Sequence, residues 1–281
     1  MNLNINQLLF AKPASEVETF NVLRGDSRPV DHYSEVNLCD YTGDDPLHVV
    51  QSRLALCQRL HIGLDHLVMP CQTHSTHVAV VDAHFMQLDY GQRVGQLQDV
   101  DALVTSMTNV CIGVNTADCV NIVLYEPVLG IIGVAHAGWK GSAGRIAAAT
   151  VETMCQLGGS RHEILATMGA SICQDCFEVG DEVLDYFNER GFDPQVISRR
   201  NPATGKAHIS LQLANQVVLQ EAGEDPSTFC GTESVPAVAP IPISRRDTWV
   251  STQDALLRVL SCVKNPVSTL TTIFILQIRR C

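Results

Sequence analysis

The chain has 281 residues, 46% of them hydrophobic and 17% charged, enough apolar content for a sizeable core and too much for a disordered chain. Aspartate and glutamate number 30 against 19 lysines and arginines, a formal charge of −11, so no general basic field is present to hold nucleic acid or an anionic membrane. Eleven cysteines are scattered through a chain whose opening residues, Met1 to Phe10, carry no basic residue and no apolar block of signal length. That pattern predicts a protein that starts near Met1 and stays cytoplasmic with reduced thiols, some of them free to bind metal.

Residues 1–35 read as irregular chain or short strands, interrupted by Pro13, Gly25 and Pro29. From Asp45-Pro46 the apolar positions fall at helical spacing, which predicts a helix from Pro46 to His61 closed by Gly63. Val68 to Asp82 is strand-like on either side of Gln72-Thr-His-Ser-Thr-His77, and Asp101 to Thr105 reads as a short buried strand. Further strands are predicted at Val110–Val114, Cys119–Tyr125 and Gly130–His136, the last two joined by Glu126-Pro-Val-Leu129. If Tyr125 pairs with Gly130, the antiparallel register sets Cys119 opposite His136, close enough for one metal to bridge them.

An alanine-rich helix is expected from Arg145 to Leu157, with Ser142 as its N-cap and Gly158-Gly159 as its stop. A strand at Ile164–Gly169, a loop at Ser171–Gly180, and helices at Glu182–Arg190 and Leu211–Ala222 follow. The segment after Gly231 changes character, with six basic and three acidic residues. No stretch approaches the roughly 18 consecutive apolar residues of a membrane span.

Three soft donors stand at strand ends or beside loops: His74, Cys119 and His136. Zinc takes nitrogen and thiolate ligands, and three protein ligands leave a fourth position for a water whose pKa can fall to about 7. The spacing is not diagnostic, because the same residues also read as a buried thiol and two core histidines. Cys119 with His136 fits equally a thiol nucleophile with an imidazole base.

Asp118 can act as acid or base, or can tie down its loop. Lys140, among glycines at a strand-to-helix turn, suits an anion such as phosphate, although the turn lacks Walker spacing. His77, three residues beyond His74, is expected at the surface. Asp99 and Asp101 are expected to form turns or to support a site. Cys173-Gln-Asp-Cys176 lacks a second cysteine pair and reads as incidental.

Taken in order, Gln72-Thr-His-Ser75, Asp101-Ala-Leu-Val-Thr105, Thr116-Ala-Asp-Cys119, Ala135-His-Ala-Gly-Trp-Lys-Gly141 and Phe177-Glu-Val-Gly180 resemble a family long labelled multicopper polyphenol oxidase or laccase-like and now described as purine nucleoside phosphorylases. Asn37-Leu38, Asp44-Asp45-Pro46 and Arg53 add to the resemblance, which runs from about Val36 to Cys230. It implies a single α+β catalytic domain over 1–281, a mixed β-sandwich flanked by helices and similar to a bacterial deamidating toxin's catalytic domain.

The resemblance also implies a zinc site on His74, Cys119 and His136, with copper as the less favoured metal. The implied activities are phosphorolysis of adenosine, inosine and methylthioadenosine, and adenosine deamination, so the expected partners are a purine nucleoside and phosphate. A zinc-activated water at C6 of adenine would account for deamination, with Asp118 moving protons and Lys140 holding phosphate.

The chain departs from the family at Asn121 and Ala170, where proline is usual, and across 231–281, where only Ser244-Arg245-Arg246-Asp247 matches the family's ending. Two other readings stand beside the resemblance. One is a metal-free Cys–His hydrolase or amidase acting on a peptide or cell-wall fragment. The other is a copper-dependent phenol oxidase, against which ten scattered histidines argue.

Overall fold

A computed structural model describes residues 3–7, 17–25, 33, 35–223, 229–230 and 272–278. In chain order these form β1 (Asn4–Gln7), β2 (Val17–Leu23), α1 (Pro46–Leu60), β3 (Leu67–Val68), β4 (Val78–Val80), α2 (Ala83–Gln87), α3 (Tyr90–Gln96), β5 (Ala102–Thr105), β6 (Cys111–Thr116), β7 (Val120–Glu126) and β8 (Ile131–Ala137). There follow α4 (Trp139–Ala143), α5 (Ile146–Gln156), β9 (Leu165–Met168), β10 (Glu178–Val179), α6 (Asp181–Asn188), α7 (Pro194–Ile197), β11 (Ser198–Arg200), β12 (Ala207–Ile209), α8 (Leu211–Glu221), β13 (Phe229–Cys230) and β14 (Thr272–Ile278).

Helix α1 starts where the sequence places it. Asp45 accepts from the Leu47 N–H, Pro46 needs no donor in the first turn, and His61 closes the helix with φ 56°. The fold is mixed α and β. A six-stranded sheet runs β13-β9-β7-β8-β5-β4, a five-stranded sheet β1-β2-β14-β6-β3, and a small one β10-β12-β11.

Strands β7 and β8 are buried along their whole length, because both faces of their sheet are covered. On one face Leu103, Val123, Ile132 and Val134 pack against Val68, Ile112 and Val114 of the five-stranded sheet, which is the sandwich. On the other face Ile122, Leu124 and Ala135 meet Ile146, Val151 and Met154 of α5 and Val218 of α8. Each large apolar side chain so buried contributes roughly 1.5–3 kcal/mol. Among the described residues no helix is long and apolar enough to cross a membrane.

Two local expectations are corrected. The hairpin pairs Tyr125 with Ile132 and Asn121 with His136, two residues from the predicted register, because Glu126 extends β7 and Gly130 turns the chain at φ 67°. Cys119 therefore precedes the ladder and does not face His136 across it. Nor does Ser142 cap α5: it lies within α4, where its hydroxyl donates to Ala137 O and accepts from Asn215 Nδ2. Helix α5 opens instead from Arg145, held at φ 66°. The Ser244–Asp247 motif lies outside the described residues.

Candidate metal centre

The antiparallel ladders set the start of β7 and the start of β5 beside the end of β8. Cys119 immediately precedes β7, Asp101 immediately precedes β5, and His136 is the penultimate residue of β8. The loop before β4 brings in His74. Despite the shifted register, His74, Cys119 and His136 offer ligand atoms that all lie within 4.8 Å of one another. Among the described residues they are the one such group of three.

Asp101 is the fully buried anchor of this arrangement. Its Oδ1 lies 2.7 Å from His136 Nδ1 and 3.1 Å from the His74 backbone N–H, and its Oδ2 accepts from the Thr73 and Ser75 N–H groups at 3.1 and 2.8 Å. Three successive amides converge on one carboxylate, a nest completed by the left-handed φ of 65° at His74. Burial would raise the Asp101 pKa, but the hydrogen bonds from His136, Thr73 and Ser75 outweigh it and hold the carboxyl below its ordinary value. With Nδ1 directed at a carboxylate, His136 leaves Nε2 as its ligand atom.

Cys119 Sγ stands 3.8 Å from His74 Nε2, and the two imidazoles meet edge to face with centroids 4.8 Å apart. A tetrahedral ion with zinc-like bond lengths separates its ligand atoms by roughly 3.3–3.7 Å. The donor set fits a borderline-soft cation after a small closure. Gly138 makes the space: a Cβ there would lie 2.5 Å from His74 Cδ2 and 3.0 Å from Cys119 Sγ.

Burial pushes the Cys119 thiol up to about 11, and the carboxylates of Asp118 and Asp101 add to the shift. Burial first, and the neighbouring His136 second, lower the His74 pKa, which keeps its ring neutral and ready to ligate.

Asp118 is exposed beside Cys119, and its carbonyl accepts the Ile172 N–H at 2.8 Å. Lys140 is exposed on the five-residue α4, with Nζ 5.5 Å over the Trp139 ring. Its charge acts on His74. His77 is at the surface, as expected, with Nδ1 2.9 Å from Asp99 Oδ2.

Gly138 is the position whose function sequence reasoning did not assign, and Asp101, expected to form a turn or to support a site, is the carboxylate that orients His136. The cue for Asp101 was a carboxylate directly before a buried strand, at the same sheet end as His136. Asn121 is also buried. Its Oδ1 accepts the Gly169 N–H at 2.9 Å and so ties the 169–172 loop to β7.

A family model described as "Multi-copper polyphenol oxidoreductase laccase" matches residues 20–234. The chain is 53% identical over 221 residues to a protein named Adenosine deaminase RL5, from an unknown prokaryotic organism, across 79% of this chain and 84% of that one. It is 35% identical over 193 residues to a purine nucleoside phosphorylase of Bacteroides thetaiotaomicron, across 68% and 72%. The crystal structure of YlmD from Geobacillus stearothermophilus shares the fold, with a TM-score of 0.75 at 23% identity over 95% of this chain and 93% of that one.

Proposed function

The chain belongs to the multi-copper polyphenol oxidoreductase laccase family, and from that premise we propose that it is a zinc-dependent purine nucleoside phosphorylase that also deaminates adenosine. The observation that carries the metal part is the cluster of two imidazoles and one thiol on a shared point, with its orienting carboxylate Asp101. The substrate part is supported by the activities in the names of the two relatives.

In this reading His74, Cys119 and His136 hold the ion, and Asp101 fixes the His136 tautomer and ring plane. When bound, the ion supplies an electrophilic centre and lowers the pKa of water at its open position. Asp118, exposed beside the ligands, carries the proton to or from the purine. Lys140, in electrostatic reach of His74, holds phosphate for attack at the ribose C1′. Asp118 and Lys140 are thus the catalytic pair.

Two observations disfavour the other readings. A thiol pushed up to about 11 between two carboxylates is a weak nucleophile at neutral pH, whereas a Cys–His hydrolase needs a thiol pKa lowered by its partner. Multicopper oxidation needs several copper centres, and the described residues hold one ligand cluster.

The test is metal content and turnover in the same preparations. The wild-type chain is expected to carry about one zinc and to convert adenosine. His74→Ala and Cys119→Ser are expected to lose both while keeping the wild-type circular dichroism spectrum. Full turnover by metal-free His74→Ala overturns the reading.

A further inference from the structure

We propose that Cys173 and Cys176 form a modification site: a dithiol that closes reversibly to an intramolecular disulfide by exchange with a low-molecular-weight disulfide. The sequence spacing alone left this pair without a role. In the fold their sulfurs lie 2.8 Å apart. The Cys176 and Phe177 N–H groups both bond to Cys173 O, at 3.0 and 3.1 Å, which wraps the segment into a single turn with the two side chains on one side. Cys173 is half-buried and Cys176 exposed, so a small reagent has access to the pair. A disulfide bond is about 2.05 Å long, and a modest rotation of the two side chains spans the difference.

The surroundings favour a disulfide over a second metal site. The Asp175 carboxylate is held by Arg199. The Gln174 carbonyl is engaged by His208 Nδ1 at 3.1 Å, and its amide donates toward Ile197 O and His208 O. Among the described residues the pair belongs to no group of three potential metal ligands, and two thiols already in contact suit bond formation better than a cation that has to be seated between them.

In the reaction the Cys176 thiol gives up its proton and attacks one sulfur of the small disulfide, releasing one small thiol. The Cys173 thiol then gives up its proton and attacks Cys176 Sγ, releasing the second. The protein pair loses two electrons and two protons, and the reagent's disulfide gains them as two thiols. The same loop donates the Ile172 N–H to Asp118 O at 2.8 Å, so the staple stiffens the wall beside the Cys119 ligand.

The experiment equilibrates the full chain in buffers of varied oxidised-to-reduced glutathione ratio, alkylates the remaining thiols and maps the peptides by mass spectrometry. The expected result is a Cys173–Cys176 peptide lighter by two hydrogens, formed with a single midpoint and reversed by dithiothreitol. Cys173→Ser is expected to stop at a glutathione adduct on Cys176 in oxidising buffer.

The proposal is overturned if both cysteines are alkylated at every ratio, if the wild type stops at glutathione adducts, or if either cysteine pairs elsewhere in the chain. Alkylated Cys176 in oxidised Cys173→Ser overturns it too. None of these readouts depends on nucleoside turnover or on bound metal.

Discussion

At Gly138 an added methyl group would press on the ring of His74 and the sulfur of Cys119, while the backbone φ of −65° is one any residue adopts. Gly138→Ala is therefore expected to fold and to fail as a metal protein, with affinity lowered at least tenfold in a chelator competition and the melting temperature of the metal-free protein little changed. Equal affinity in the variant contradicts the cradle.

Cys119 supplies a second residue-scale expectation. With its thiol pushed up to about 11, the metal-free protein keeps the proton throughout the neutral range, and binding has to expel it. Apparent affinity is then expected to rise about tenfold per pH unit from this group. Competition with a chelator of known protonation behaviour at pH 6, 7 and 8 measures the slope, and a flat profile contradicts a thiolate ligand.

At the scale of elements, Asp101 joins three pieces of chain: the start of β5, the end of β8 and the loop carrying His74. Its folded pKa lies below the ordinary carboxylate value of about 3.9. The associated stability is fully present above that ordinary value and is lost as pH falls through the depressed one. Asp101→Asn places an amide against three N–H donors and is expected to cost on the order of 2–3 kcal/mol. Metal affinity is expected to fall about 10–100-fold through the unanchored His136. Chemical denaturation at pH 7 and pH 3 reads the stability part: the wild-type advantage is expected at pH 7 and is expected to shrink at pH 3. An unchanged difference contradicts the anchor.

Element by element, the legible parts were those with local signals. Helix α1 follows apolar spacing and a clear start, α6 and α8 lie within two residues of their expected spans, and the β7–β8 hairpin follows its apolar runs. The register slipped by two because nothing local shows that Glu126 belongs to the strand. An even slip preserves the faces, and the candidate ligands still converge because Cys119 leads into β7 just where β8 ends. Strands of two or three residues in the β10–β12–β11 sheet carry no periodicity to read. Helix α3 did carry a cue that went unread, since Asp89 and Gln92 form a capping box. The Asp101 bonds to residues 73–75 span 26 to 28 positions and are tertiary, so no spacing rule announces them.

On the scale of the whole molecule, strand β14 changes how the final segment is viewed. The sequence marks 231–281 as divergent in composition, yet Thr272–Ile278 pairs with β2 on one side and β6 on the other. Removing the chain before Thr272 leaves two strands without their partner and opens one layer of the sandwich. The truncated chain is expected to lose its cooperative thermal transition; an unchanged melt by circular dichroism contradicts a central role for β14.

The central claim joins this sandwich, the cluster of His74, Cys119 and His136, and a purine nucleoside. It is tested most directly by incubating protein of known zinc content with adenosine, with and without phosphate, and resolving the products by chromatography. The account predicts adenine only when phosphate is present and inosine in either case. Zinc-loaded protein that releases neither product contradicts it.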